Sequence, residues 1–262
     1  MTPWIVTSGV FAVVTCVLVV AVTRLQAVKQ RHVRHAESLQ KSLERVEQTF
    51  GRFKPIELVD RIITEGVNIP AEHKEVTILF ADIRGFTQLT ERVEADLLVE
   101  LLNGYIKRMS RVISRNHGVV NKLIGDGIMA TFGAVRPNAW QAADAVTAAL
   151  EMSEELTDYN RELASSGLPQ LSVGIGIHKG DVIVGIVGSE HLLEFTALGD
   201  VVNVASRVEA LTKAFDTTIL ITDAVQKEIG HRFRLIPMEP MQVKGKSAAI
   251  RTFAVTLDAP GN

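Results

Sequence analysis

The sequence predicts an α+β fold in which the central elements follow the ferredoxin-like order βαββαβ. Three observations indicate this fold. Short apolar runs rich in β-branched residues, typical of buried strands, alternate with two long segments of helical periodicity. A Gly-Asp-Gly turn joins the second strand tightly to the third. The 262 residues are 47% hydrophobic and 22% charged, a composition that suits globular domains and argues against a disordered tail.

The first predicted elements are a strand and two helices. Residues 76–82 form an apolar, β-branched run, which is typical of a buried strand. Gly85 ends this strand, and a short helix is predicted over residues 86–91. Residues 94–117 place apolar side chains at helical spacing, and Gly118 ends that helix.

The middle of the domain contains a hairpin and the second long helix. Strands are predicted over residues 119–124 and 128–132, on either side of the turn Gly125-Asp126-Gly127. The second long helix is predicted over residues 138–164.

The last predicted elements begin with two strands, 171–177 and 181–187, which are expected to meet at a turn, His178-Lys179-Gly180. The glycines of Gly174-Ile-Gly176 lie inside a strand with no following helix, so they are expected to permit close packing rather than to bind a dinucleotide. The later predictions are a strand ending near residue 196, a helix at 200–212, and strands at 217–221 and 251–255.

This topology predicts which distant residues meet. In the βαββαβ order the first and second strands run parallel, and the third lies antiparallel between them. The end of the first strand and the turn between the second and third strands therefore share one edge of the sheet. We expect Asp82 and Asp126 to be neighbours at that edge.

The N-terminal residues predict a membrane anchor. Residues 4–23 carry no charge, and 20 helical residues span about 30 Å, the thickness of a bilayer core. A cleaved signal peptide is the alternative, but such peptides begin with basic residues, whereas here the basic residues follow from Arg24. The positive-inside rule predicts a single-pass protein of the plasma membrane, with the segment after residue 23 in the cytoplasm.

Residues 24–54 are predicted to form a helical linker. Leu39, Leu43, Val46 and Phe50 follow the spacing of a heptad seam, which favours a parallel coiled coil. A lone amphipathic helix is the alternative. The remaining predicted divisions are a connecting segment at 55–71, the α+β domain at 72–257, and a tail at 258–262.

The composition argues against nucleic-acid binding, whereas the residues at the sheet edge suggest binding of divalent cations and phosphates. The net charge of −2 gives no reason to expect a nucleic acid partner. Two neighbouring carboxylates, Asp82 and Asp126, suit divalent cations, and Gly85-Phe86-Thr87 offers backbone N–H groups to phosphates. Each feature also has a simpler interpretation, because Asp82 could cap a helix and Asp126-Gly127 could be only a hairpin turn.

Four segments together resemble the class III nucleotidyl cyclases, and their consistent order and spacing make the resemblance specific. It covers about residues 50 to 255. The segments are Val-Thr-Ile-Leu-Phe-Ala-Asp-Ile-Arg-Gly-Phe-Thr at 76–87, Asn-Lys-Leu-Ile-Gly-Asp-Gly-Ile-Met-Ala-Thr-Phe-Gly at 121–133, Phe-Thr-Ala-Leu-Gly-Asp-Val-Val-Asn-Val-Ala-Ser-Arg-Val-Glu at 195–209, and Val-Lys-Gly-Lys at 243–246.

The resemblance implies a head-to-tail homodimer that binds ATP or GTP in its interface, where the ribose 3′-hydroxyl attacks the α-phosphate and pyrophosphate leaves. It implies two Mg²⁺ or Mn²⁺ ions in each site, held by Asp82, Asp126 and the Ile83 carbonyl. These metal residues come from one chain. The residues that contact the base and the transition state come from the other chain.

The resemblance also implies roles for five further residues. Lys122 and Thr196 match the pair that recognises the base. Asn203 and Arg207 match the pair that orients the ribose and stabilises the transition state, and their spacing places them on one helical face. Lys244, in preference to the second lysine of its segment, is expected to contact the triphosphate.

The two base-recognising residues favour adenine. Adenine has an acceptor at N1 and a donor at N6, which complement the Lys122 ammonium and the Thr196 hydroxyl. A guanylate cyclase, for which glutamate and cysteine are expected, is an alternative, as is a non-catalytic nucleotide-binding domain. No Gly-Gly-Asp/Glu-Glu-Phe signature of a diguanylate cyclase is present. A threonine at position 196 resembles the subgroup of the family whose members are activated by bicarbonate, although one residue does not establish that response.

Overall fold

A computed structural model describes residues 70–189, 192–242 and 249–256, together with residues 29, 30, 41, 64 and 66. The chain divides into two compact units, Met1–Val59 and Asp60–Asn262. The predicted anchor at 1–23 and nearly all of the predicted linker at 24–54 lie outside the described residues. Within the described part of the chain, no helix is long and apolar enough to cross a membrane.

The second unit alternates strands and helices. Its elements, in chain order, are β1 (Glu72–Ile83), α1 (Phe86–Thr90), α2 (Ala95–Arg115), β2 (Gly118–Ile124), β3 (Gly127–Phe132), α3 (Gln141–Ser165), β4 (Val173–Ser189), β5 (Leu192–Leu198), α4 (Asp200–Ala214), β6 (Ile219–Thr222), α5 (Asp223–Ile229), β7 (Leu235–Pro237) and β8 (Thr252–Val255).

These strands form one sheet that confirms the predicted topology. The order is β2-β3-β1-β4-β6-β8-β7, and β5 pairs with the far half of β4. Strand β3 is antiparallel to both β1 and β2 and lies between them, so β1 and β2 run parallel. The end of β1 and the β2–β3 turn therefore meet at one edge. The short elements α5 and β7 were not anticipated from the sequence.

The predicted turn at His178-Lys179-Gly180 is wrong, because β4 runs through it without interruption. Strand β1 pairs along β4 from Ile83 opposite Val173 to Glu72 opposite Val184. The Lys179 side chain is nearly buried within the strand, where its ammonium forms ion pairs with glutamates of β1 and α5. The neighbouring residues in the sequence indicate a turn at Lys179, but acidic partners distant in sequence neutralise its charge and allow it to lie within a strand.

The two faces of the sheet pack against different helices. Apolar side chains at alternate positions of β1 and β4, such as Leu79 and Ile175, form one core with α2, α3 and α5. The opposite face of β4 presents glycines to α4. A Cβ atom added at Gly176 would collide with the backbone of Ala205 and Glu209, so only glycine allows α4 to lie this close. The close-packing interpretation of these glycines is confirmed.

Candidate active site

Two aspartates meet at the edge of the sheet, where the topology places them. Asp82 lies near the end of β1, and Asp126 lies in the turn between β2 and β3. The Ile83 N–H donates to Asp126 Oδ2 at 3.1 Å, which fixes the turn against β1. A Cβ atom at Gly127 would lie 3.1 Å from Asp82 Oδ1, so glycine leaves room for this carboxylate.

The electrostatics of this pair fit a bound cation. The Asp82 side chain reaches solvent, yet partial burial of its carboxyl, followed by the charge of Asp126 and a hydrogen bond to it, raises its pKa to about 6. Two touching carboxylates favour a shared proton or a cation over two free charges. Since the donors are all oxygen, the residues fit Mg²⁺ or Mn²⁺, with substrate phosphates completing the coordination.

The segment that follows β1 offers backbone N–H groups. Gly85 has a φ of 72°, a left-handed conformation that favours glycine, and it begins α1. The N–H groups of Gln88 and Leu89 donate to the Gly85 carbonyl at 3.0 and 3.1 Å. The preceding N–H groups, of Phe86 and Thr87, have no acceptor within the helix and can serve a phosphate.

Of the base-recognising candidates, Lys122 on β2 contacts β5, the strand that carries Thr196. Lys122 Nζ lies 3.0 Å from Glu194 Oε1 on β5. Glu194 and Thr196 are two residues apart, so their side chains lie on one face of β5. Thr196 is buried, with 5% of its surface exposed. The structure therefore places the Lys122 ammonium beside the strand that carries Thr196.

Asn203 and Arg207 face away from the sheet that carries Asp82. Ala205 and Glu209 lie over Gly176 of β4 and define the sheet-facing side of α4. Arg207 is two residues from each, hence about 160° around the helix at roughly 100° per residue, and Asn203 shares its face. Arg207 Nη1 is buried without a hydrogen-bond partner among the described residues.

The sequence analysis missed two acidic residues of this region. Glu194 pairs with Lys122, and its signal was its position two residues before Thr196 on a strand. Glu209 ends the third motif, and burial, followed by the charge of Asp82, raises its pKa to about 7. The second lysine candidate, Lys244, lies outside the described residues.

Comparisons with known proteins show what this domain is similar to. A family model described as the adenylate and guanylate cyclase catalytic domain matches residues 69–256. An adenylate cyclase of Anabaena cylindrica is 38% identical over 233 residues, covering 83% of this chain and 45% of that protein. The chain thus spans about half the length of this relative.

Solved structures of both cyclase types share the fold. The adenylyl cyclase CyaB from P. aeruginosa is 29% identical, with a TM-score of 0.68 over 73% of this chain and 98% of that chain. The guanylyl cyclase Cya2 is 31% identical, with a TM-score of 0.67 over 71% of this chain and 94% of that chain. Because the two match almost equally, the choice of base depends on the side chains at the site.

Proposed function

Because this chain belongs to the family of adenylate and guanylate cyclase catalytic domains, we propose that it converts ATP to 3′,5′-cyclic AMP and pyrophosphate for intracellular signalling. The observation that carries the proposal is the location of Lys122 beside the strand of Thr196. The lysine ammonium donates to adenine N1, and the threonine hydroxyl accepts from N6. Guanine presents the opposite groups at both positions, so it would leave both side chains unpaired.

Each site residue has a defined task in this reaction. The ribose 3′-oxygen forms a bond to the α-phosphorus while the bond to the pyrophosphate oxygen breaks. Asn203 orients the ribose, and Arg207 donates to the α-phosphoryl oxygens as negative charge develops there. The N–H groups of Phe86 and Thr87 bind the triphosphate, and Lys244 adds a positive charge.

Divalent cations complete the proposed site. Asp82 and Asp126 would hold them together with the Ile83 carbonyl. When bound, two Mg²⁺ or Mn²⁺ ions supply activation of the attacking hydroxyl and neutralisation of phosphate charge. Without cations, burial and the charge of Asp126 disfavour the ionisation of Asp82 and raise its pKa.

A homodimer supplies what one chain lacks. Asn203 and Arg207 face away from the chain's own Asp82, so a complete site requires a second copy. Exposed apolar side chains surround the base-recognising region and support such a contact. They are Leu123, Ile124, Ile183, Val187, Leu193 and Leu198. In the resulting C₂ dimer, two equivalent sites each draw on both chains.

The N-terminal segment extends the proposal to location and assembly. We infer that residues 1–23 anchor the chain in the plasma membrane, with the catalytic domain in the cytoplasm, because they are uncharged and basic residues follow. A coiled coil within 24–54 would raise the effective concentration of the two catalytic domains. Thr196 extends the proposal to activation by bicarbonate, by its likeness to the threonine subgroup.

The choice of base is tested by assaying wild type and the double variant Lys122→Glu/Thr196→Cys with ATP and with GTP. We expect wild type to make cyclic AMP and to use GTP poorly. The double variant should lose roughly 100-fold or more in kcat/KM for ATP, because two unpaired groups cost about 1–3 kcal/mol each. It should gain activity with GTP.

Thr196→Ser is the matched control, because serine keeps the hydroxyl and should preserve the preference for ATP. Cyclic GMP as the main wild-type product would favour a guanylate cyclase. Nucleotide binding without either product would favour the non-catalytic alternative. An unchanged ATP preference in the double variant would show that these residues do not face the base.

Deleting residues 1–53 tests the anchor and the linker together. The full chain should stay with membranes through an alkaline carbonate wash, whereas a chain beginning at residue 54 should be released. The specific activity of the shorter chain should also rise more steeply with protein concentration, since its domains meet only by diffusion.

A chain beginning at residue 26 separates the two contributions. It lacks the anchor but keeps the linker, so it should be released from membranes and show the flatter concentration dependence. Concentration curves that coincide for the two shorter chains would favour a lone helix over a coiled coil. Release of the full chain by carbonate would contradict the anchor.

A further inference from the structure

Glu209 lies in a notch beside Asp82. Asp82 and Gly174 are directly opposite each other on β1 and β4, so side-chain positions there share one face of the sheet. A Cβ atom added at Gly174 would lie 2.6 Å from Glu209 Oε1. The glutamate carboxylate therefore occupies the space that any other residue at position 174 would fill.

The charges around this notch do not balance. Asp82, Asp126 and Glu209 are close enough that the aspartates raise the pKa of Glu209, while the charge of Arg84 lowers it. When all three acids are ionised, the one guanidinium leaves a net charge of −2, which is the charge that a divalent cation neutralises. Beneath them the Tyr105 hydroxyl is fully buried without a hydrogen-bond partner among the described residues, and burial, followed by the charges of all three carboxylates, raises its pKa.

The Arg84 guanidinium is not free to move toward the carboxylates, because its Nη2 donates to the carbonyl oxygens of Thr212 and Thr217. These contacts hold the guanidinium near the end of α4. Glu209 thus lies within the influence of both this positive charge and the aspartate pair. Its removal would delete a negative charge and leave the Arg84 guanidinium less completely balanced, with Asp216 Oδ1 3.9 Å from its Nη1, and both changes oppose cation binding.

We propose that Glu209 is a positioning residue of the metal site, which strengthens the binding of a divalent cation by Asp82 and Asp126 without coordinating it. Within the described residues, no group of three His, Cys, Asp or Glu side chains is arranged to hold a metal ion, so Glu209 acts through its charge. The inference rests on the proposed function, because it assumes that the aspartate pair binds metal.

The test measures the affinity of the purified full chain for Mn²⁺ alone, without nucleotide, from the electron paramagnetic resonance signal of free Mn²⁺. Glu209→Gln keeps the shape and removes the charge, and we expect Mn²⁺ to bind about 10-fold or more weakly, as when outer partners of metal sites are lost. Glu209→Asp keeps the charge and should recover most of the affinity.

Two further variants make the result specific. Glu228→Gln removes a carboxylate on α5 that pairs with Lys179 of β4, and we expect this variant to bind Mn²⁺ with wild-type affinity. Asp82→Asn should abolish binding, which tests the metal assignment independently. Glu209→Ala repeats the test without an amide beside Arg84, and thermal unfolding checks that each variant is folded.

The outcomes are distinguishable. Wild-type affinity in folded Glu209→Gln and Glu209→Ala, with binding lost in Asp82→Asn, would overturn the inference and leave the proposed function intact. Complete loss in Glu209→Gln, as severe as in Asp82→Asn and not recovered by aspartate, would make Glu209 a ligand and also overturn it. Wild-type affinity in Asp82→Asn would contradict the proposed metal site and the inference together.

Discussion

Replacing Asp82 or Asp126 with asparagine is expected to reduce cyclic AMP synthesis by at least about 1,000-fold. Cations bound at the proposed site would supply several kcal/mol of transition-state stabilisation, and each 1.4 kcal/mol is worth about tenfold in rate. The fold should survive, because burial and the charge of Asp126 disfavour an ionised Asp82 in the metal-free protein. We therefore expect unchanged or slightly higher thermal stability together with lost turnover.

The measurement is the initial rate at saturating ATP and Mn²⁺, with thermal unfolding recorded on the same preparations. Glu151→Gln is a matched control, because it removes one carboxylate from a surface ion pair with Arg115 on the helices. This control should keep wild-type turnover. Near-wild-type rates in Asp82→Asn or Asp126→Asn at saturating Mn²⁺ would contradict the metal assignment.

Mixing two inactive variants is expected to restore about a quarter of wild-type activity. Asp82→Ala and Arg207→Ala homodimers should both be inactive, since each lesion appears in both sites. In a mixed dimer, however, one site receives both lesions and the other receives neither. Equal co-expression makes about half of the dimers mixed, each with one intact site of two, which gives the quarter.

A second co-expressed pair supplies the control for mixing. Asp82→Ala and Asp126→Ala both damage the metal-binding half of a site, so every site in their mixed dimer contains one lesion. No recovery is expected from that pair, although subunits mix equally well. If the first pair also fails to recover while mixed dimers are shown to form, each site lies within one chain and the composite site is wrong.

The meeting of Asp82 and Asp126 was predictable because it depends on topology alone. Once the strand order is recognised, the end of β1 and the β2–β3 turn must share an edge, whatever the side chains between them. The face shared by Asn203 and Arg207 was predictable for a similar reason, since helix periodicity fixes it. The first prediction needs only the order of the strands, and the second needs only the periodicity of an α-helix.

The errors arose where contacts distant in sequence decide the structure. The composition of His178-Lys179-Gly180 indicates a turn, but Glu75 and Glu228 pair with the lysine and permit a continuous strand. Glu194 and Glu209 were missed because their importance lies in proximity to Lys122 and to Asp82. Periodicity along the chain does not report such proximity.

The row of glycines on β4 has a consequence for tolerance to substitution. Gly174, Gly176 and Gly180 are separated by two and four residues, so they lie on the same face of β4, which meets α4. A Cβ atom at Gly180 would lie 2.8 Å from Val201 Cγ2. Inserting a methyl group into such a contact costs about 1–3 kcal/mol and forces the helix to move. Because α4 carries Arg207, a shift of about 1 Å can lower the rate about 100-fold.

In a genetic selection for cyclic AMP, these glycines would consequently rank with the residues that contact nucleotide, although they have no side chain with which to contact it. In the proposed dimer each chain would contribute its α4 to one site, while its Glu209 lies beside the aspartates that would serve the other. A single methyl group added on β4 would therefore displace residues of both proposed sites at once. Sensitivity to substitution at these glycines would then reflect their packing against α4, and not their distance from the substrate.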